Sequence, residues 1–133
     1  EYTHEDGKKY YVVPLRGTGL WGPIWGYVSL ANDFDTVYGA YFDHKGETPG
    51  LGAEIAEEPF QKQFEGKKIR SAEGQFVSVR VLKAADKTPV GAEHRVDAIS
   101  GGTITSRGTD TMLRDGIAPY LPYFDQLKKR PTS

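Results

Sequence analysis

The chain of 133 residues contains no cysteine. Disulfide frameworks, thiolate metal sites and cysteine nucleophiles are therefore excluded, although compartment is not decided by this. No apolar run is long enough to span a bilayer, and no signal peptide is present. The first residue is Glu1 and not Met, so the chain reads as an excised piece or processed product, with any membrane anchor expected upstream. Neither charge dominates: 17 Lys and Arg stand against 18 Asp and Glu. That balance offers no electrostatic case for nucleic acid or an anionic membrane surface. Histidines occur only at positions 4, 44 and 94, without paired spacing, so no metal site is expected. Asp33, Asp35 and Asp43 do not fit a calcium loop. No G-x-S-x-G, no strand-linked G-x-G-x-x-G and no Walker loop is present, and no catalytic residue is assigned.

What the chain does have is glycine (16 residues) and aromatics (12%). The combination suits a tight-turned, sheet-containing single domain over 1–133 with flat surfaces for a ring ligand. Glu1 to Lys9 reads as a flexible lead-in. Tyr10-Tyr11-Val12-Val13-Pro14-Leu15 is rich in strand formers, with Pro14 suggesting an edge or a strand end. Arg16 to Pro23 reads as glycine-punctuated loop, in which Leu20 and Trp21 offer a ligand wall or a plain surface connection. Ile24–Ala31 and Thr36–Asp43 read as a hairpin about the turn Asn32-Asp33-Phe34-Asp35. Apolar residues on both strand faces predict partial cover of both.

Pro49-Gly50 predicts a type II turn. A helical segment follows from Ala53, with Ile55, Phe60 and Phe64 inward, divided by Pro59 and ending near Gly66. Phe76–Lys83 alternates as a strand with Val77, Val79 and Val81 on one face. Ala84–His94 reads as loop. A helix is expected from Thr105 or Ser106 to about Ala118, with Met112, Leu113 and Ile117 inward. Pro119 and Pro122 end it, and a short helix carries Tyr120, Leu121, Phe124 and Leu127. Lys128-Lys129-Arg130 reads as a solvated basic end.

The chain is organised around Asp97-Ala98-Ile99-Ser100-Gly101-Gly102-Thr103-Ile104-Thr105-Ser106. Paired glycines allow a sharp turn and close approach to a ligand, and backbone N–H groups at a helix start form an anion site. Ser100, Thr103 and Thr105 add hydroxyls. From the residues alone, a phosphate-binding turn and an ordinary capped loop are both open.

Asp97-x-x-Ser100-Gly101-Gly102-Thr103 resembles the D-x-x-[ST]-G-A-T flavinylation motif of the FMN-binding domain family, with Gly102 where the family has alanine. His44-Lys45-Gly46-Glu47-Thr48-Pro49-Gly50-Leu51-Gly52 resembles that family's H-x-E-T-P-G-L-G signature, with one extra residue between His44 and Glu47. Leu20-Trp21-Gly22-Pro23-Ile24, Phe64-x-Gly66-Lys67-Lys68 and the strand ending at Lys83 fall in the family's order, so the resemblance covers nearly the whole chain. These features favour the branch found in sodium-translocating NADH:quinone reductases over that of Rnf-type ion-pumping oxidoreductases.

The resemblance implies an α+β fold, a mainly antiparallel sheet with short helices packed on it. It implies FMN joined through its phosphate to Thr103 by a flavin transferase that takes FAD and releases AMP. Ser100, Gly101, Gly102 and the helix start would hold the phosphate, with Lys83 favouring its charge. Trp21 and Leu51 would form the ring slot, lined further by Glu47, Thr48, Gly52 and Ile104, with Thr105 a further hydroxyl toward the phosphate. Asp97 would hold the loop or serve the transferase reaction. The implied role is an electron carrier in a bacterial inner-membrane complex that oxidises NADH, reduces quinone and exports Na⁺. Its partners would be the other subunits, the transferase, and the membrane through an upstream helix; the domain would lie on the extracytoplasmic side. A flavin-free interaction domain is the alternative of another class.

Overall fold

The computed structural model describes the backbone of residues 2–3 and 9–129 and the side chains of 10–127. Expectations for the lead-in side chains, for His4 and for the basic end at 128–130 lie outside the described residues. β-Branched and aromatic side chains fit a pleated, half-buried surface. The Tyr- and Val-rich first third accordingly forms an antiparallel sheet in the order β1-β2-β3-β4. Its strands are β1 (Tyr2–Thr3), β2 (Lys9–Thr18), β3 (Pro23–Leu30) and β4 (Val37–His44). The lead-in is thus not all irregular, since Tyr2 and Thr3 pair with Tyr10 and Lys9.

β2 runs beyond its expected end at Leu15, because Arg16, Gly17 and Thr18 pair with Trp25, Ile24 and Pro23. The expected loop shrinks to Gly19–Gly22, closed by the Gly19 N–H donating to the Gly22 carbonyl at 2.8 Å. Pro14 lies inside β2, opposite Tyr27. It is tolerated because, among the described residues, β1 pairs with Lys9 and Tyr10 and not with Pro14, which leaves β2 an edge there.

One sheet face buries Val13, Leu15, Ile24, Val28 and Phe42. The opposite face carries Val12, Trp25, Tyr27 and Tyr41, each 37–42% exposed. Partial cover of both faces is thus observed, although unequally: the helices pack on the first face, while Tyr10 and Ser29 are buried on the second.

Asp33 builds the β3–β4 turn as expected. Its Oδ1 accepts from the N–H groups of Asp35 (2.9 Å) and Thr36 (2.8 Å), and its Oδ2 accepts the Thr36 hydroxyl at 2.6 Å. Burial pushes the Asp33 carboxyl up, but these bonds and the Lys68 charge together hold it below its ordinary value. A lowered folded value means stability present above the unfolded value and lost as pH falls through the folded one. Asp33→Asn keeps the N–H bonds but cannot accept the hydroxyl there. It should cost about 1 kcal/mol at neutral pH. In urea titrations the gap from the parent should close as pH drops through the acid range; a gap independent of pH contradicts the assignment.

The segment after β4 begins with the Thr48–Leu51 turn, in which the Leu51 N–H donates to the Thr48 carbonyl at 3.0 Å. Gly50 sits at φ 79°, the third-position conformation of the expected type II turn. A 3₁₀ turn (Gly52–Ala56) and α1 (Glu58–Lys62) follow, with Pro59 in the first turn of α1. Ile55, Phe60 and Phe64 face inward as expected, and Phe60 and Phe64 meet Phe42 at ring separations of 5.8 and 5.2 Å.

The expected strand over 76–83 is shorter, only β5 (Arg80–Leu82). Ser78 adopts φ 64°, which breaks the alternation: Val79 and Val81 are buried but Val77 is 37% exposed. β5 pairs in parallel with β6 (Arg95–Asp97), a strand that does not stand out from the sequence.

α2 (Thr103–Ile117) starts two residues earlier than expected and buries Met112, Leu113 and Ile117. A 3₁₀ turn (Ala118–Tyr120) containing Pro119 leads into α3 (Leu121–Lys129), with Pro122 near its start. The prolines thus open new helical turns, where their missing N–H costs nothing. α2 lies across β2, and the Asp110 carboxylate ties it to β5 by accepting from Val81 N–H at 2.9 Å and Arg80 Nε at 3.1 Å. The whole is α+β, as expected: a mainly antiparallel sheet with short helices on one face.

Candidate functional site

Three segments distant in sequence meet at one end of the sheet: the β2–β3 turn, residues 47–52, and the first turn of α2. Between them lies an open groove of about 220 Å³. Its polar floor carries Glu47, Thr103 and Thr105, with Gly52, Gly101 and Gly102 beside them. Its rim is apolar: Leu20, Trp21, Leu51 and Ile104 are 43–68% exposed. Thr48 completes the lining.

The α2 end is built by a turn from Ile99 to Gly102, closed by the Gly102 N–H donating to the Ile99 carbonyl at 3.0 Å. Gly101 sits at φ 76°, and a Cβ there would stand 2.7 Å from Leu51 Cδ2. Glycine is thus required by conformation, while the exposed Leu51 side chain could turn aside from a Cβ. Ser106 Oγ accepts the Ile99 N–H at 3.0 Å and holds the turn onto the helix. The helical ladder begins where the Ser106 N–H donates to the Gly102 carbonyl at 2.8 Å. No side chain caps the helix. The N–H groups of Thr103, Ile104 and Thr105 therefore open α2 without intrahelical acceptors, next to the groove. Such an end attracts an anion.

The two threonines of this turn differ. Thr105 is 2% exposed, and its hydroxyl donates to Glu47 Oε1 in a short bond. Thr103 is half-buried at the groove, and its hydroxyl has no hydrogen-bond partner among the described residues. Glu47 itself is 3% exposed. It accepts the Leu20 N–H at Oε1 and the Trp21 N–H at Oε2, both at 2.9 Å. Burial pushes its carboxyl up, but the bonds from Thr105, Trp21 and Leu20, with the charge of His44, outweigh burial and hold it below its ordinary value. The Glu47 N–H donates to His44 Nδ1 at 3.0 Å, so this histidine serves the local turn.

Most of the sequence-assigned residues thus line one groove, and three do not. Ser100 and Asp97 line a neighbouring depression with Gly50 and Gln63. Asp97 is held through its backbone: its N–H donates to Gln63 Oε1 at 2.8 Å and its carbonyl accepts from Gln63 Nε2 at 3.4 Å. Its carboxylate makes no hydrogen bond among the described residues. Lys83 follows β5, outside the groove lining. Sequence reasoning misses Ser106 and Gln63, because a serine in a helix and a glutamine in a loop carry no spacing signal. At Gly102 the family's alanine would place Cβ 3.2 Å from Ile99 and 3.3 Å from Gly52 Cα. Glycine here removes a tight contact and takes away no phosphate donor.

The residues present fit a flavin mononucleotide: free N–H groups and a hydroxyl for the phosphate, a glycine cradle, and an apolar rim for a ring. Residues 19–118 match the FMN-binding domain family, and the chain belongs to that family. It is homologous to NqrC, a subunit of Na⁺-translocating NADH-quinone reductases. It is 39% identical over 134 residues to the corresponding subunit of Chlamydia caviae, covering 90% of this chain and 42% of that protein. With that of Neisseria meningitidis serogroup B it shares 38% over 127 residues, covering 93% and 48%. Two crystal structures are similar. The same subunit from Parabacteroides distasonis gives a TM-score of 0.84 at 46% identity, over 96% of this chain and 60% of that one. NqrC of Shewanella oneidensis gives 0.83 at 34%, over 98% and 60%. The chain spans less than half the length of these curated relatives. Among the described residues no helix is long and apolar enough to cross a membrane.

Proposed function

We propose that this chain is an FMN-bearing electron-carrier domain, with FMN joined by a phosphoester to Thr103. It would work as part of the NqrC subunit in a sodium-translocating NADH:quinone reductase. The observation that supports this most is the meeting of the two family motifs, 44–52 and 97–103, at one groove containing an uncapped helix start and an unengaged threonine hydroxyl.

Each residue then has a task. Thr103 would supply the hydroxyl oxygen that the transferase joins to the FMN-side phosphate of FAD, with its proton taken by a base of the transferase and AMP released as the anhydride bond is broken. The N–H groups of Thr103, Ile104 and Thr105 hold the phosphate charge at the helix start. Gly101 and Gly102 let the backbone come close, while Ser100, facing the neighbouring depression, belongs to the turn that presents them. Lys83, which follows β5 outside the groove lining, adds its positive charge only from a distance. Asp97, exposed and unengaged through its carboxylate, serves the transferase reaction. Trp21 and Leu51, with Leu20 and Ile104, shield a ring face from water; Thr48 and Gly52 bound the slot. Bound FMN would supply reversible uptake and release of electrons. The groove is smaller than the usual small-molecule pocket of about 300–1,000 Å³, which suits a tethered carrier that must pass electrons to a neighbour.

The partners are the other subunits of the complex and, during maturation, the flavin transferase. An upstream helix anchors the domain to the bacterial inner membrane, with this part on the extracytoplasmic side. Electron transfer from NADH belongs to the complex; the domain alone relays. Production beside a flavin transferase should yield a yellow protein whose flavin absorbance stays with the chain through denaturation and gel filtration. Flavin released on unfolding rules out the phosphoester and leaves a non-covalent carrier, and a colourless protein favours a flavin-free interaction domain.

A further inference from the structure

Glu47 joins more of the molecule than any lining role requires. Its two oxygens face three donors from two other segments: the Leu20 N–H and Thr105 hydroxyl at Oε1, the Trp21 N–H at Oε2. The backbone is pared back to admit it. A Cβ on Gly19 would stand 2.5 Å from Oε1, and one on Gly52 would stand 3.2 Å from the same atom. Trp21, in contrast, has a side chain with little to hold it, 68% exposed. What fixes Trp21 is its backbone, and what its backbone holds is Glu47. A buried, fully satisfied polar network of this kind specifies one geometry, because each lost partner leaves a desolvated group behind.

We propose that Glu47 is the positioning residue of the groove: its carboxylate clasps the Leu20–Trp21 backbone to the first turn of α2, setting the Trp21 wall opposite Thr103 before any cofactor arrives. This rests on the flavin reading for its purpose but not for its geometry. The clasp is a property of the bare chain.

Glu47→Gln tests it atom by atom. The amide keeps the shape and loses one acceptor. Two donors converge on Oε1 and one on Oε2, so the amide oxygen settles toward Leu20 and Thr105 and its NH₂ faces the Trp21 N–H. Hydrogen exchange followed by NMR on the full cofactor-free chain should show the Trp21 amide accelerated about tenfold, the loss of one hydrogen bond to a charged acceptor. Leu20 should change much less, and Val28 in β3 should not change. Glu47→Ala should release both Leu20 and Trp21. In flavin-loaded protein, Glu47→Gln should raise flavin fluorescence, since Trp21 is no longer held where it quenches. Equal exchange of Trp21 in parent and Glu47→Gln overturns the clasp, whatever the fluorescence does. So does loss of protection at Trp21 and Val28 together, which marks general loosening. If the parent takes up no flavin, the functional reading fails while amide exchange still decides the clasp.

Discussion

Thr103→Ala should abolish covalent flavin uptake, while Thr105→Val should retain it. Both hydroxyls lie in the first turn of α2, and the motif resemblance points to Thr103 without giving a physical reason for the choice. Their surroundings do. The Thr105 hydroxyl is buried and given to the Glu47 carboxylate. To react it must abandon a bond to a charged acceptor, worth about 1.5–3 kcal/mol, and leave that carboxylate short of a donor. Thr103 is half-buried at the groove and gives up no such bond. The check is intact mass after production beside a flavin transferase, followed by peptide mapping. Parent and Thr105→Val should gain the mass of FMN less water, and Thr103→Ala should gain nothing. Thr105→Val should also unfold more easily, by about 2 kcal/mol, because Glu47 stays buried with one donor fewer. A mass gain that survives Thr103→Ala would place the linkage elsewhere and sink the assignment.

Gly108→Ala should be among the most destabilising single-methyl additions in the chain, at about 3 kcal/mol. α2 crosses β2 so closely that a Cβ at Gly108 would lie 2.1 Å from the Thr18 carbonyl oxygen and 3.1 Å from its carbon. Both partners are backbone, so neither can rotate away. The better helix propensity of alanine returns about 1 kcal/mol, which does not offset the clash. Gly116→Ala, on the same helix, is the contrast. Its Cβ would meet the Leu15 Cδ2 atom at 2.6 Å, the far end of a side chain that can turn. There the propensity gain should roughly cancel the crowding. Urea unfolding of the two variants separates the cases; similar losses would mean that the helix–strand spacing is not held by backbone contact at Gly108. The consequence reaches the site as well. Thr18 leads into Gly19–Gly22, so displacing α2 from this corner should also lower covalent flavin uptake.

How much of this is legible in the sequence depends on how local the cause is. The β3–β4 hairpin, the Asp33 turn, the Pro49-Gly50 turn and the inward faces of Ile55, Phe60 and Phe64 follow from neighbours in sequence. The end of β2 does not, because Arg16-Gly17-Thr18 has loop composition and is strand only through pairing with Pro23–Trp25. The start of α2 lies two residues before its expected place, since a helix with no side-chain cap carries no capping signal. Alternation assigns Val77 to the core, and a single positive φ at Ser78 turns it out.

By itself, the sequence determined the family, the α+β class and two stretches whose residues line the candidate groove, because glycine, proline and motif spacing act over a few residues. Tertiary structure alone decided which of these residues share a groove. It brought Trp21, Glu47 and Thr105 together across 26 and 58 positions of chain and left Lys83 and Asp97 outside the lining. It also gave the two threonines of that turn different surroundings, one hydroxyl held by Glu47 and the other open to the groove. The reason is physical: burial and hydrogen-bond satisfaction are properties of a position in space, and residues far apart in the chain set them jointly.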